Sequence, residues 1–221
     1  TDKQKSFAQI AFDKNTKIIF INGPAGSSKT FLAVYCALHM LNMNPRSELK
    51  YIRTIAESGE RALGSLPGTV DEKFNPFMMP LYDKLDELLP MSQSKYLETN
   101  GFIEALPINF LRGATWNDKV IIADESQNYS SKELVTLLTR IGENTRLFVT
   151  GDLEQCDRIG QANGLEDFLD KMHGKRSNSI SSIEFHSNDI EREPIVKEVL
   201  DIYSFSRTET YSPITTPNES L

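Results

Sequence analysis

Apolar residues fall in short runs that alternate with longer stretches of helical spacing along this chain. The runs at Lys17–Asn22, Leu49–Arg53, Phe102–Leu106, Lys119–Asp124, Arg146–Thr150 and Ile183–His186 read as strands. Between them, Lys29–Met43, Asp71–Leu89, Ser131–Ile141, Gly164–Met172 and Glu193–Tyr203 carry apolar residues at the period of a helix. Strands separated by helical crossovers pair side by side in one direction, so the pattern predicts an α/β fold: a mostly parallel sheet with helices on both faces. Ser130-Ser131-x-Glu133 supplies a capping start for the helix after the fourth strand.

Composition narrows this picture. At 221 residues, 39% hydrophobic and 25% charged, the chain can build one sizeable core and falls short of two full domains. A single domain over 1–205 is expected, followed by a flexible tail over 206–221 in which Ser, Thr, Pro and Glu replace apolar residues. No run has the length of a bilayer-spanning helix and the start, Thr1-Asp-Lys-Gln-Lys-Ser6, is polar, so a soluble cytoplasmic protein is expected. Thr1 in place of Met reads as a trimmed or processed start, from which no function is drawn. Two cysteines, Cys36 and Cys156, and three histidines give neither a disulfide framework nor zinc-ligand spacing, and both thiols are expected to be buried. A net charge of −7 excludes coating of nucleic acid by bulk charge and leaves room for a local basic groove.

Chemistry enters where the strands end. After the first strand come Gly23-Pro24-Ala25-Gly26-Ser27-Ser28-Lys29-Thr30 and then a helix. Glycines let backbone N–H groups turn inward, the helix presents its positive end, Lys29 would neutralise β- and γ-phosphates, and the Thr30 hydroxyl would hold magnesium. Position 28 is Ser where the pattern G-x-x-x-x-G-K-[ST] has Gly. The cradle tolerates this provided the Ser28 φ stays negative. The fourth strand delivers Asp124-Glu125-Ser126-Gln127: Asp124 suits the magnesium ion, Glu125 the deprotonation of an attacking water, and Gln127 a hydrogen bond to that water or to the γ-phosphate. The fifth strand delivers Gly151-Asp152-Leu153-Glu154-Gln155, where the Gln155 amide could sense the γ-phosphate. Either acidic turn alone is an ordinary solvated turn; three strand ends with matching chemistry define a site.

Gly23–Thr30, Ile52–Glu60, Leu63–Gly68, Arg112–Asp118, Asp124–Asn128, Leu138–Gly142 and Val149–Asp152 resemble, in this order, the PhoH family of ATPases, relatives of superfamily-one helicases with a RecA-like core. The resemblance covers about Gln4 to Tyr203, and departs at Ser28 and at Thr54-Ile55, where the family has Gly and Pro-Ala. It implies a single RecA-like P-loop NTPase domain that binds ATP and Mg2+ and hydrolyses ATP, coupled to RNA or single-stranded DNA. It also implies that Gln4 stands near where helicase relatives read the adenine edge. Because no second lobe fits the length, the opposite wall is expected from a neighbouring subunit of a homo-oligomer, a ring being one form, with an arginine finger in trans. Arg192 matches a family arginine and is the first candidate, against an ordinary ion pair with Glu191 or Glu193; Arg112 and Arg140 follow. The alternative function is a nucleotide-dependent assembly switch without motor activity. A small-molecule kinase is disfavoured by Glu125, since activating water would waste ATP. The apolar density around Phe74, Phe77, Met78, Met79 and Tyr82 reads as core or interface rather than base stacking. With Arg53 and Arg61 in flanking loops, this region is nevertheless the expected nucleic-acid or partner face, its charge diluted by Glu57 and Glu60.

Overall fold

The computed structural model describes residues 1–54, 70–111, 113, 115–155 and 163–189. The expected helix at Glu193–Tyr203, the tail over 206–221, Arg61, Arg112, Cys156 and Arg192 lie outside the described residues. Six strands, β1 (Ile18–Asn22), β2 (Glu48–Arg53), β3 (Ile103–Pro107), β4 (Lys119–Ala123), β5 (Arg146–Gly151) and β6 (Ile180–Glu184), form one sheet in the order β3-β2-β4-β5-β1-β6. Every neighbouring pair is parallel. The helices are α1 (Asp2–Phe12), α2 (Lys29–Met43), α3 (Val70–Leu88), α4 (Met91–Thr99), α5 (Ser131–Leu138) and α6 (Gly164–Met172). Among the described residues no helix is long and apolar enough to cross a membrane.

Central strands of a parallel sheet must be apolar on both faces, and these are. Ile19, Ile21, Val120, Ile122 and Phe148 point to a core that takes in Phe7 of α1, Ala33, Val34 and Ala37 of α2, and Leu81 and Leu85 of α3. The alternate positions, Phe20, Ile121, Ala123, Leu147 and Val149, point to the opposite core, closed by Leu134 and Leu137 of α5 and Leu165 of α6. At the β3–β2 end of that second face the positions carry charge instead. Lys50, its side chain 11% exposed, bridges Glu48 and Glu104, and Lys119 meets Glu48 at 2.7 Å.

Several elements differ from the pattern-based reading. The last strand spans Ile180–Glu184, earlier than Ile183–His186, because parallel pairing with β1 sets Ile18 opposite Ile180 and Asn22 opposite Glu184; Ser181 and Ser182 hide that strand in the sequence. The helix expected over Ser131–Ile141 stops at Leu138, and Ile141 instead bridges Trp116. Its start is as expected: Ser130 accepts from the Glu133 N–H while Glu133 accepts from the Ser130 N–H. Two helices, α1 and α4, had no signal in the apolar pattern, since α1 buries only Phe7 and Ala11 and α4 only Ser94. Cys36 is 1% exposed and burial pushes its thiol up to about 12.

Candidate active site

Three strands that end side by side, β4, β5 and β1, bring together residues more than a hundred positions apart. The cleft above their carboxyl ends, about 600 Å³, is lined by Ala25, Gly26, Ser28, Lys29 and Thr30, by Asp124 and Glu125, and by Gly151, Asp152 and Gln155. Gln4 from α1 and Lys84 and Glu87 from α3 form its outer wall. Gln4 also completes a capping box: its N–H donates to Thr1 Oγ1 at 3.2 Å and its Oε1 accepts from the Thr1 ammonium at 2.7 Å. Gly23, Pro24 and Ser27 belong to the same loop without lining the cleft, and Ser27 is buried. A Cβ on Gly23 would lie 2.7 Å from Phe185 Cβ and 2.8 Å from Phe185 O, so the chain can leave β1 here only as glycine.

Ser28 contradicts the condition set for it. Its φ is 63° and ψ 21°, the left-handed region, so the family's Gly at this place has a conformational reason, and the Ser28 hydroxyl makes no capping bond to offset the strain. The loop is held by its own groups: Lys29 Nζ donates to Gly23 O at 2.6 Å and Pro24 O at 2.8 Å, and Ser27 Oγ donates to Pro24 O at 2.8 Å.

Asp124 is 3% exposed and accepts from three hydroxyls. Thr30 Oγ1 reaches Oδ1 at 3.0 Å, Thr150 Oγ1 donates to the same oxygen, and Tyr51 Oη donates to Oδ2 at 2.6 Å. Burial first, then Asp124, pushes the Tyr51 phenol well above its ordinary value, so it remains a donor. Tyr129 Oη donates to Ile52 O at 2.9 Å, and burial raises that phenol too. A hydroxyl and a carboxylate oxygen converging on the cleft are hard donors of the kind magnesium takes, so the residues present fit that ion.

Glu125 follows in a left-handed turn, φ 52° and ψ 42°. Its Oε2 accepts from Gln127 Nε2 at 2.6 Å, and Oε1 lies 3.9 Å from Arg53 Nη2. Burial and, next, the Asp124 carboxylate raise the Glu125 carboxyl above the usual range, against the lowering effects of Gln127, Arg53 and Lys29. Such a group is a better proton acceptor than a free carboxylate. Gln127 does not line the cleft: it is 1% exposed, with Oε1 accepting from the Asp152 N–H at 3.1 Å and Nε2 also reaching Gln155 O at 3.4 Å. Gln127 was expected to bond the attacking water or the γ-phosphate directly; here its amide instead meets Glu125 Oε2, the Asp152 N–H and the Gln155 carbonyl. Arg53 is the last residue of β2 rather than part of a loop. Tyr51 and Thr150 carried no sequence signal and Arg53 was expected only at a nucleic-acid or partner face, because only the parallel register of β2, β4 and β5 brings them to Asp124 and Glu125.

A glycine turn at a helix start, beside two acid-bearing strand ends on a parallel sheet, defines a P-loop NTPase with a nucleotide-binding cleft. The chain belongs to the PhoH family: the family model described as PhoH-like protein matches residues 1–204. It is 38% identical over 205 residues to the PhoH-like protein of Mycobacterium tuberculosis (strain ATCC 25618 / H37Rv), covering 92% of this chain and 57% of the relative. Against Protein PhoH of Escherichia coli (strain K12) it is 32% identical over 194 residues, covering 86% and 54%. The chain thus spans little more than half the length of these curated relatives. The Pif1 helicase of Candida albicans superposes with a TM-score of 0.51 at 16% identity, over 94% of this chain and 43% of that one, which shows a shared α/β fold.

Proposed function

We propose that this chain binds ATP with magnesium in the cleft and hydrolyses it, acting in the cytoplasm and coupled to RNA or single-stranded DNA. The observation that carries the reading is the meeting of Thr30 and Asp124 at 3.0 Å beside a Glu125 whose side chain is 41% exposed. Thr30 and Asp124 would hold Mg2+, which supplies charge neutralisation on the phosphates. Lys29 exchanges the Gly23 and Pro24 carbonyls for phosphate oxygens, and the loop N–H groups donate to them. Glu125 takes the proton of the attacking water, held in place by Gln127. Gln155, on the cleft rim, senses the γ-phosphate, and Gln4 meets the adenine edge. The opposite wall comes from a neighbouring copy in a homo-oligomer, which supplies an arginine, Arg192 being the candidate. A polymer partner is supported by the helicase name of the structural neighbour, and with a net charge of −7 it must engage a local surface.

Turnover of ATP by the purified chain, with magnesium or with EDTA, and with added RNA, single-stranded DNA or duplex, tests the reading. Magnesium-dependent turnover raised by a single-stranded polymer is expected, and absence of turnover under all conditions refutes it. Equilibrium sedimentation with ATP and magnesium showing only monomer refutes the oligomer.

A further inference from the structure

Glu125 is held from two sides. On one, Gln127 donates to Oε2 at 2.6 Å and is itself fixed by the Asp152 N–H and the Gln155 carbonyl, all parts of the β4 and β5 ends. On the other, Arg53 Nη2 lies 3.9 Å from Oε1 while Nη1 donates to Phe77 O of α3 at 3.4 Å. The Asp124 N–H donates to Ile52 O at 2.9 Å, so the residues that carry Arg53 and Glu125 leave the sheet in fixed register. One guanidinium therefore spans a strand end, a helix and the carboxylate.

α3 is continuous but carries two prolines where Arg53 meets it. Pro80 has no N–H to give the carbonyl of Pro76, and Pro76 removes the bond one turn earlier, so the ladder of α3 lacks two bonds flanking Phe77. A planar fork of five donors can serve a carbonyl and a carboxylate together, which an ammonium group cannot do in the same geometry. Glu125 sits in a left-handed backbone conformation that persists only where its surroundings over-determine it, and among the described residues Gln127 and Arg53 reach its carboxylate.

We infer that Arg53 is a positioning residue that ties the Glu125 carboxylate to the proline-bearing segment of α3. This rests on the hydrolytic reading of the cleft. A displacement of α3 moves the guanidinium and with it the carboxylate that faces the attacking water.

The test uses the full chain with Arg53→Ala and Arg53→Lys, each alone and combined with Glu125→Gln. Arg53→Ala is expected to lower kcat about tenfold and to leave the Kd of a non-hydrolysed ATP analogue within about twofold. Arg53→Lys recovers part of the loss by keeping the charge. In the Glu125→Gln background Arg53→Ala costs no further turnover. An equal loss in both backgrounds, or a parallel loss of analogue affinity, overturns the inference. If the unaltered chain turns over no ATP, the functional reading fails by itself, and thermal unfolding of the parent, Arg53→Ala, Glu125→Gln and the double variant without nucleotide still judges the contact. Non-additive Tm shifts, by about 1 °C or more, sustain it, and additive shifts overturn it.

Discussion

Ser28 sits at φ 63°, ψ 21° with no capping bond from its hydroxyl, and replacing it isolates the cost of that backbone. A residue with a Cβ pays about 1–2 kcal/mol for the left-handed conformation, which glycine escapes. Glycine loses about 0.5–1 kcal/mol of that gain, because its unfolded chain is freer. Ser28→Gly should therefore stabilise the fold by about 0.5–1 kcal/mol, or about 1–4 °C in Tm for a chain of this size. Ser28→Ala removes a hydroxyl that caps nothing and should stay within about 0.5 kcal/mol of the parent. Ser28→Val adds a β-branched side chain in the left-handed region and should be the least stable of the series. Calorimetric melts of the four proteins without nucleotide give the ranking Gly, then Ser and Ala together, then Val. A Ser28→Gly protein that melts below the parent, or a Val variant equal to it, refutes the reasoning.

Glu125→Gln should retain ATP binding and lose about two orders of magnitude or more of turnover, read by analogue titration and phosphate release, since the amide cannot accept the proton. Lys29→Ala should instead abolish tight nucleotide binding, because the loop loses its cation; unchanged affinity would remove Lys29 from its role. Gly23→Ala sets a Cβ 2.7 Å from Phe185 Cβ and 2.8 Å from its carbonyl oxygen, and should cost about 2 kcal/mol, seen as a Tm lowered by about 4–8 °C. Tyr51→Phe removes the buried donor to Asp124 Oδ2 and should destabilise by about 1–3 kcal/mol in denaturant melts, while Thr30 and Thr150 still serve Oδ1.

Much of the site was legible because its chemistry sits in contiguous letters. Gly23–Thr30, Asp124–Glu125 and Asp152–Gln155 each follow an apolar run, and the structure gathers them at one sheet edge. What the letters could not carry was backbone conformation and side-chain direction. The cradle was expected to tolerate Ser28 on condition of a negative φ, and Ser28 stands at φ 63°, two residues after Gly26 at φ 85°. Gln127 reads as a polar residue beside the phosphates, yet the turn after β4 buries it against the Asp152 amide, behind Glu125. The helices α1 and α4 escaped notice because they bury too few apolar side chains to show a periodic stripe.

By itself the sequence determined the α/β class, the order of the strands, and the residues at the three strand ends, since apolar runs and glycine turns act over neighbouring positions. Only the tertiary structure decided which strand ends are adjacent. Because β4 and β5 insert between β2 and β1, Tyr51 and Thr150 reach Asp124 and Arg53 reaches Glu125. Those contacts depend on pairing register across nearly a hundred residues, and no local pattern encodes it.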